Sequence, residues 1–490
     1  MMGSRSRDVV LTCLLIGLLL WRVDARAPGG PKDHKKKPHQ SKAKGQEAAE
    51  APTGGSTSST APVASPAMPG NAAPAGAPTG GSASSTAPVA SPATPGAAAP
   101  AGAPTGDTEA PQGTLFDVTK HGAVGDGKTD NNKAFSDAWV AACKSSSTGP
   151  STFLIPRGDF LLSTIVFAGP CTNKTLSPSV IIRGNLIAST TDSNSKSWIT
   201  FQSLSNLHIS GAGTGSFNGK GETAWSGGCR HTANSHCNVA PANLNVQSVL
   251  SGSLNDITSV NSQGFHILVG NTQDFNIHDV KINAPKFSPN TDGIHVGNST
   301  GITIANAEIG TGDDCVSIGS GTSKISVTNV KCGPGHGISL GSLGKYPDEK
   351  AVSSLLVKNC TLTSTDNGVR IKTWPGSPDN IVNDVRFEDI TMTNVSNPII
   401  INQNYCDKKA CDSTPSHVKL SGIHFKNIKG TSFTKTAVAL GCSSGAPCEQ
   451  VELVDIDLKP ATDAGAVDAT CANVKGVITS GVLNPKPSCV

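Results

Sequence analysis

Residues 302–330 read ITIANAEIGTGDDCVSIGSGTSKISVTNV, and they decide the fold. The stretch opens on the tetrad Ile304-Ala305-Asn306-Ala307 and closes on Val327-Thr328-Asn329-Val330. Both have the form apolar, any residue, Asn or Asp, apolar or small. Between them lie short alternating runs rich in Val, Ile and Thr, broken by glycine, as half-buried strands are. Reading outward toward the N-terminus, the tetrad occurs at Leu254-Asn255-Asp256-Ile257 and Ile277-His278-Asp279-Val280. Toward the C-terminus it occurs at Val357-Lys358-Asn359-Cys360, Phe387-Glu388-Asp389-Ile390, Phe425-Lys426-Asn427-Ile428 and Leu453-Val454-Asp455-Ile456. The intervals are 23, 27, 23, 30, 30, 38 and 28 residues. A recurrence of this length marks a solenoid, one supersecondary unit per repeat. Short strands and glycine turns, with few helical patterns, select an all-β solenoid: a right-handed parallel β-helix. Its coils stack at about 4.8 Å, and the Asn/Asp column forms a ladder at a turn. A β-sandwich places turn signals about every 8–12 residues, which fits single strands here but not the longer register. The register puts Asn359 on an inner rung, so its sequon is expected to go unused, and makes Cys360 a buried thiol.

Composition agrees. Of 490 residues only 15% are charged and 4% aromatic, which disfavours coiled coils and long surface helices. Lys+Arg 39 against Asp+Glu 36 leaves a net charge of +3, without the basic excess of a nucleic-acid binder.

The N-terminal part reads differently. Val9 to Trp21 is apolar and follows Arg5 and Arg7, and Val23-Asp24-Ala25 ends in a small residue. This is the pattern of a cleaved secretory signal, residues 1–25, the alternative being a signal anchor. The apolar run is short beside the roughly 20 residues of a bilayer span. Residues 26–112 are a low-complexity spacer. Its basic start, Arg26 to Lys44, leads into a direct repeat of period 26: Ala51-Pro52-Thr53-Gly54-Gly55-Ser56 returns at Ala77 and begins again at Ala103. Such a composition buries too little to offset its ordering entropy, so the spacer is expected to be disordered. Residues 113–490 form the remaining domain. Within it Asn132 to Cys143 patterns as a helix, with Asp130 a candidate N-cap.

Thirteen cysteines follow the signal, which suits an oxidising compartment. Proximity suggests Cys143/Cys171, Cys229/Cys237, Cys315/Cys332, Cys406/Cys411, Cys442/Cys448 and Cys471/Cys489, and leaves Cys360 free. N-glycosylation sequons start at Asn173, Asn298, Asn359 and Asn394.

The chemistry-bearing residues share the solenoid's period. Asp292 and Asp313 are 21 apart, close to one coil, and His336 is 23 beyond Asp313. Stacking therefore predicts Asp292, the Asp313-Asp314 pair and His336 on successive coils of one face. Arg370-Ile371-Lys372 alternates as a strand does and adds two cations to that face. Acids at close range do not all ionise easily, so one pKa is expected to rise. Glycoside hydrolysis needs that division: one protonated acid for the leaving oxygen and one base for the water. The cations suit a substrate bearing carboxylates. Singly each piece is commonplace: Asn-Thr-Asp often caps a turn, and Asp-Asp is more often a solvated loop. Their order and shared register carry the reading.

Ser288-Pro289-Asn290-Thr291-Asp292-Gly293, Thr311-Gly312-Asp313-Asp314-Cys315, Cys332-Gly333-Pro334-Gly335-His336-Gly337 and Arg370-Ile371-Lys372 together resemble the polygalacturonases, family 28 of the glycoside hydrolases. The resemblance extends from about Thr114 to Val490 and is nearest to the plant, pollen-type exo-acting members. It implies a right-handed β-helix and inverting hydrolysis of α-1,4-linked galacturonan, without a metal or other cofactor. By motif, Asp313 resembles the general acid, Asp292 and Asp314 the pair activating water, and His336 the residue supporting the acid. Arg370 and Lys372 resemble the binders of a galacturonate carboxylate, with Asn290 and Tyr405 further substrate contacts. Ser216-Phe217-Asn218-Gly219 departs from the pattern of many relatives, which carry Asp before that glycine. The Ala/Pro-rich repeats are not part of it either.

The expectation is thus a secreted, monomeric cell-wall enzyme acting on pectin, with no nucleic-acid or membrane partner after signal cleavage. An endo-acting enzyme is the nearest alternative. A pectate lyase would need a calcium cage of acids plus a basic Arg; here His336 follows the acids and no further acids cluster nearby. A non-catalytic pectin-binding wall protein would not need Asp292, Asp313 and Asp314 together.

Overall fold

The computed structural model describes residues 113–489, except 147–148, 190–195, 227–239, 407–410 and 463–464. The expected signal, the spacer and the Cys229/Cys237 pair lie outside the described residues. The chain divides into two units, Met1–Ala99 and Pro100–Val490, and every described residue belongs to the second.

The architecture is the expected right-handed parallel β-helix. One turn of it runs through the strands Thr300–Ala305, Glu308–Gly310 and Val316–Ile318. The next runs through Ser323–Thr328, Lys331–Cys332 and Ile338–Leu343. Each strand pairs in parallel with its equivalent one coil on: Ile304 with Val327, Glu308 with Lys331, Val316 with Ile338. One face of the solenoid is an 11-stranded sheet from Ile165–Ala168 to Asp468–Ala472.

The tetrads explain the register. Their first residues form one column, Leu254, Ile277, Ile304, Val327, Val357, Phe387, Phe425 and Leu453, each paired with the next. All eight are buried in the single continuous core. The Phe387 and Phe425 rings stack at 5.3 Å with 9° between their planes. Burying one such side chain stabilises by about 1.5–3 kcal/mol, so a slip of one residue, which would turn the column outward, is strongly opposed.

The third residue of every tetrad is in the left-handed region, with φ from 50° at Asn427 to 57° at Asp256 and Asp389. Short polar side chains that bond locally tolerate this conformation best. It turns the chain between two faces of the coil. The ladder exists there: Asn329 donates to Asn306 at 3.1 Å, Asn359 to Asn329 at 2.6 Å, and Asn427 to Asp389 at 2.7 Å. It runs along the outside of the corner, however. Asn359 is exposed, not internal, because the left-handed turn directs the third residue outward while the first and fourth point in. Cys360, the fourth, is buried and free, and burial pushes its thiol up to about 11.

The helix Asn132–Cys143 covers the N-terminal end, burying Phe135, Ala138 and Trp139. Trp139 packs on Phe153, Phe167 and Phe201 with ring centroids 5.2–5.7 Å apart. Its N-cap is Asn131 rather than Asp130, although Asp130 accepts the Asn132 N–H at 2.9 Å. Five of the six expected disulfides are present: Cys143–Cys171, Cys315–Cys332, Cys406–Cys411, Cys442–Cys448 and Cys471–Cys489. Among the described residues no helix is long and apolar enough to cross a membrane.

Candidate active site

Four strands of the 11-stranded sheet carry the site: Ile294–Gly297, Val316–Ile318, Ile338–Leu343 and Asn367–Thr373. Their inward residues, including Ile294, Val316, Ile338 and Val369, are buried in the core. Their outward residues pair as His295↔Ser317↔Ser339↔Arg370. Two positions before each inward residue the chain places Asp292, Asp314, His336 and Asn367. The coil-mate of Asp292 is therefore Asp314. The interval of 21 residues had suggested Asp313; the true offset is 22, fixed by Ile294 pairing with Val316.

Two loops are locked together to make this ledge. Ser288 and Thr291 are buried and share a 2.6 Å hydrogen bond, and Thr291 Oγ1 accepts the Gly312 N–H at 3.0 Å. A Cβ on Gly312 would lie 2.0 Å from the Ser288 carbonyl oxygen, so only glycine lets the second loop seat. That contact sets Asp292 beside Asp313 and Asp314. The His336 N–H then donates to the Asp313 carbonyl at 2.7 Å, tying on the third loop.

The three acids end in different environments. Asp314 is almost fully buried. Burial alone would raise its pKa, but Lys372 and Arg370 bind its two oxygens at 2.8 Å each, and the pKa is lowered. Ser339 adds a third bond at 2.8 Å. Asp292 has no such cation in contact: burial first, and the charges of Asp313 and Asp314 next, hold its carboxyl well above the usual range. Ser317 bonds its Oδ2 at 2.6 Å. Asp313 is the most open, with 19% of its side chain exposed against 2% for Asp314. Its Oδ1 lies 3.0 Å from His336 Nδ1 and accepts the Asp314 N–H at 2.8 Å. Burial works against charge on His336, yet the bond to Asp313 and the neighbouring carboxylates raise its pKa overall. The rise expected in one acid falls on Asp292, from burial and the neighbouring carboxylates.

Arg370 and Lys372 join the groove as expected, but they grip Asp314 rather than standing open. Arg370 also donates to Ser339 at 3.1 Å. A guanidinium and an ammonium carry more N–H donors than these bonds use, which leaves donors for a substrate carboxylate. Lys372 Nζ lies 5.2 Å from the centre of the Tyr405 ring, which brings Tyr405 to the site from the next coil. Asn290 stands half-buried in the Asp292 loop with φ 55°. Asp313, Asp314 and His336 bring ligand atoms within 4.8 Å of one another. A divalent ion there would sit against the two cations that already hold Asp314, so the donor set fits proton chemistry better than a metal.

Sequence reasoning missed His295, Ser317, Ser339 and Asp366. His295 Nδ1 bonds Ser317 Oγ at 2.8 Å, and so connects through Ser317 to Asp292. Its ring stacks on Phe265 at 5.0 Å, and burial holds it down to about 4, neutral in mild acid. Asp366 lies 3.5 Å from His336 Nε2. A signal for three of them was present. Asp292-Gly293-Ile294-His295, Asp314-Cys315-Val316-Ser317, His336-Gly337-Ile338-Ser339 and Asn367-Gly368-Val369-Arg370 are one repeated pattern. In each, the first residue stands on the ledge and the fourth on the groove floor.

The profile of Glycosyl hydrolases family 28 matches residues 143–484. The exopolygalacturonase of Platanus acerifolia is 44% identical over 77% of this chain and 98% of its own length. The exopolygalacturonase of Zea mays is 44% identical over 76% of this chain and 90% of its own. The polygalacturonase of Gossypium hirsutum is 45% identical over 77% and 91%. Among solved structures, the endo-xylogalacturonan hydrolase from Aspergillus tubingensis aligns with a TM-score of 0.65 at 23% identity, covering 76% of this chain and all of its own. The polygalacturonase from Erwinia carotovora aligns at 0.60 and 23% identity, covering 76% and 98%.

Proposed function

The chain belongs to glycosyl hydrolase family 28, and we propose that it hydrolyses the α-1,4-galacturonosyl linkages of de-esterified pectin, acting from a chain end. The observation that carries the reading is the split within one buried acid cluster. Asp314 is held as a carboxylate by Arg370 and Lys372, while burial and the charges of Asp313 and Asp314 raise the pKa of Asp292 beside it. The relatives named exopolygalacturonase support the substrate and the exo mode.

In the proposed mechanism Asp313, the most open acid, meets the leaving oxygen. Substrate binding shifts the cluster's proton from Asp292 to Asp313 in this mechanism, a transfer within the cluster that leaves its net charge unchanged. Asp313 then protonates the leaving oxygen as the glycosidic bond breaks. Asp292, now ionised, takes a proton from water, whose oxygen bonds the anomeric carbon from the opposite side. Asp314 orients that water and stabilises positive charge developing on the sugar. The configuration inverts, and the cluster returns with its proton on Asp292. His336, held protonated, steadies Asp313 through the 3.0 Å bond. Arg370 and Lys372 share their remaining donors with the uronate carboxylate, and Asn290 and Tyr405 position the ring.

The enzyme is further proposed to act outside the cell on wall pectin, as a monomer, after removal of residues 1–25. The test is product analysis on polygalacturonic acid with a chelator present. Monogalacturonate alone from the first minutes is the expected result. An early ladder of oligomers would make it endo-acting, and unsaturated products or chelator sensitivity would overturn the hydrolase chemistry.

A further inference from the structure

Two of the site's acids are held by the same device with different ends. The outward row of the catalytic sheet pairs His295 with Ser317, Ser317 with Ser339 and Ser339 with Arg370. Both serines are buried. Each donates its hydroxyl to an acid of the ledge: Ser317 to Asp292 Oδ2 at 2.6 Å, Ser339 to Asp314 Oδ1 at 2.8 Å. Each is met in turn by the residue at its end of the row. His295 Nδ1 lies 2.8 Å from Ser317 Oγ, and Arg370 Nε donates to Ser339 Oγ at 3.1 Å. The two chains are alike up to the last group. One ends in an imidazole, the other in a guanidinium that also reaches Asp314 directly at 2.8 Å.

The direction of the His295 chain follows from counting hydrogens. An ionised carboxylate only accepts, and a serine hydroxyl has one hydrogen to give. When Asp292 is ionised, Ser317 gives that hydrogen to it, and none remains for His295. The 2.8 Å contact is then a hydrogen bond only with the hydrogen on His295 Nδ1. Burial holds the ring down to about 4, so above that pH it is neutral, with its one N–H on Nδ1. The charges facing the ring are Asp314 and Lys372, which act in opposite senses. Its plane is fixed as well. It stacks on Phe265 with 22° between the rings, and the Phe265 carbonyl accepts the Ser262 hydroxyl at 2.6 Å.

We propose that His295 is the positioning residue of the catalytic base: its Nδ1–H, through Ser317, pins Asp292 Oδ2 and supports the ionised form that takes the proton of water on Oδ1. A guanidinium at the end of the chain keeps its acid charged throughout, as Arg370 keeps Asp314. A neutral imidazole donates without adding charge, so Asp292 stays able to exchange the cluster's proton. Asp313, Asp314 and Lys372 are the charged groups around Asp292, and none of them lies on this chain. The inference rests on the hydrolase reading above and gives His295 a part in it without contact to the sugar.

The test separates the donor from the ring. His295→Phe keeps the stack on Phe265 and removes the Nδ1 donor. His295→Asn removes the stack and keeps an amide N–H on Cγ, where the Nδ1–H was. On polygalacturonate kcat should fall about tenfold in His295→Phe, the scale of one hydrogen bond in a charged network, and His295→Asn should recover most of it. Packing alone predicts the reverse order, so an Asn variant no faster than the Phe variant would overturn the inference. Ser317→Ala with and without His295→Phe gives a second reading. On one chain the added substitution should change kcat by less than about twofold, and losses that multiply would overturn the chain. If the wild type releases no new reducing ends, the hydrolase reading fails instead, and thermal melting still decides on His295. The charge on Asp292 lacks its donor chain in His295→Phe. That variant's midpoint should therefore fall further behind that of His295→Asn as pH rises and the carboxylate forms. A difference between the two that stays constant with pH would overturn the positioning role.

Discussion

Asp279 and Asp292 occupy the same turn of the solenoid and do opposite things. Asp279 is the third residue of a tetrad, exposed, in the left-handed region, with His278 beside it lowering its pKa. Asp292 is buried on the ledge, and burial raises its pKa. The side chain is the same. One is kept ionised in water to turn a corner, the other kept from ionising easily in a dry groove. The fold thereby keeps stability and chemistry at different corners of the same coil. The Asx corner repeats on eight coils, from Asp256 to Asp455, and has one task on each of them. The ledge also repeats, as Asp292, Asp314, His336 and Asn367, but each coil there carries a different group.

The sharpest test of that division is removal of one proton-carrying group from the ledge. Asp313→Asn should lower kcat on polygalacturonate by about 10³-fold or more, in the upper range for a general acid. Its thermal midpoint should stay near that of the wild type, since Asp313 is partly open. Reducing-end assays and a melting curve on one preparation check both. A large loss of stability with the activity would mean that the ledge is structural like the corner.

Arg370→Met comes next. It leaves Asp314 buried with Lys372 as its remaining cation and removes one grip on the substrate. A fall in kcat/KM of about 10²-fold is expected, with a lowered thermal midpoint, because losing one partner of a buried ion pair is strongly destabilising. Steady-state kinetics beside calorimetric melting separates the two parts. If stability alone changes, Arg370 serves Asp314 and not the sugar.

How much of this was legible in the letters follows from what sets each feature. The corner was readable because a core column and a left-handed turn demand the same residue classes on every coil. The pattern therefore recurs eight times from Leu254 to Leu453. The ledge was readable in its charged members, and its coils were assigned correctly to within one residue. The offset went to Asp313 because adjacent Asp residues differ in register and not in type; the pairing of Ile294 with Val316 decides it. The outward direction of Asn359 was also missed, since a tetrad does not disclose the φ of its third residue. The rise on Asp292 was beyond reach for a different reason. It depends on Arg370 and Lys372, 78 and 80 residues away in sequence, bonding Asp314 instead.

Titration of the ledge gives a smaller effect with a definite sign. His336 is raised above its usual value of about 6.5 and Asp292 above the carboxylate range, so both hold protons into mild acid. Activity should fall on the alkaline side, as these two protons are lost. The same shift enters stability. A His raised by its partner contributes stability that is fully present below its unfolded value and is lost as pH rises through the folded one. The thermal midpoint should therefore decline above about pH 6.5, and His336→Gln should flatten that decline. A pH–rate profile rising steadily into alkali would overturn the proton assignment.

The smallest effect belongs to the corner, and it closes the comparison from the other side. Asn359→Ala removes the donor to Asn329 and puts a residue less tolerant of φ 53° into the left-handed turn. The conformational cost and the lost bond together come to about 1–3 kcal/mol. The bond is exposed, which favours the lower half of that range. Denaturant unfolding should show the loss as a shift in midpoint at unchanged slope. The catalytic sheet lies across the core from this corner and shares none of its hydrogen bonds, so kcat and KM on polygalacturonate should hold their wild-type values. If they move with Asn359, the coils do not insulate the ledge from the corner, and the division drawn between Asp279 and Asp292 fails.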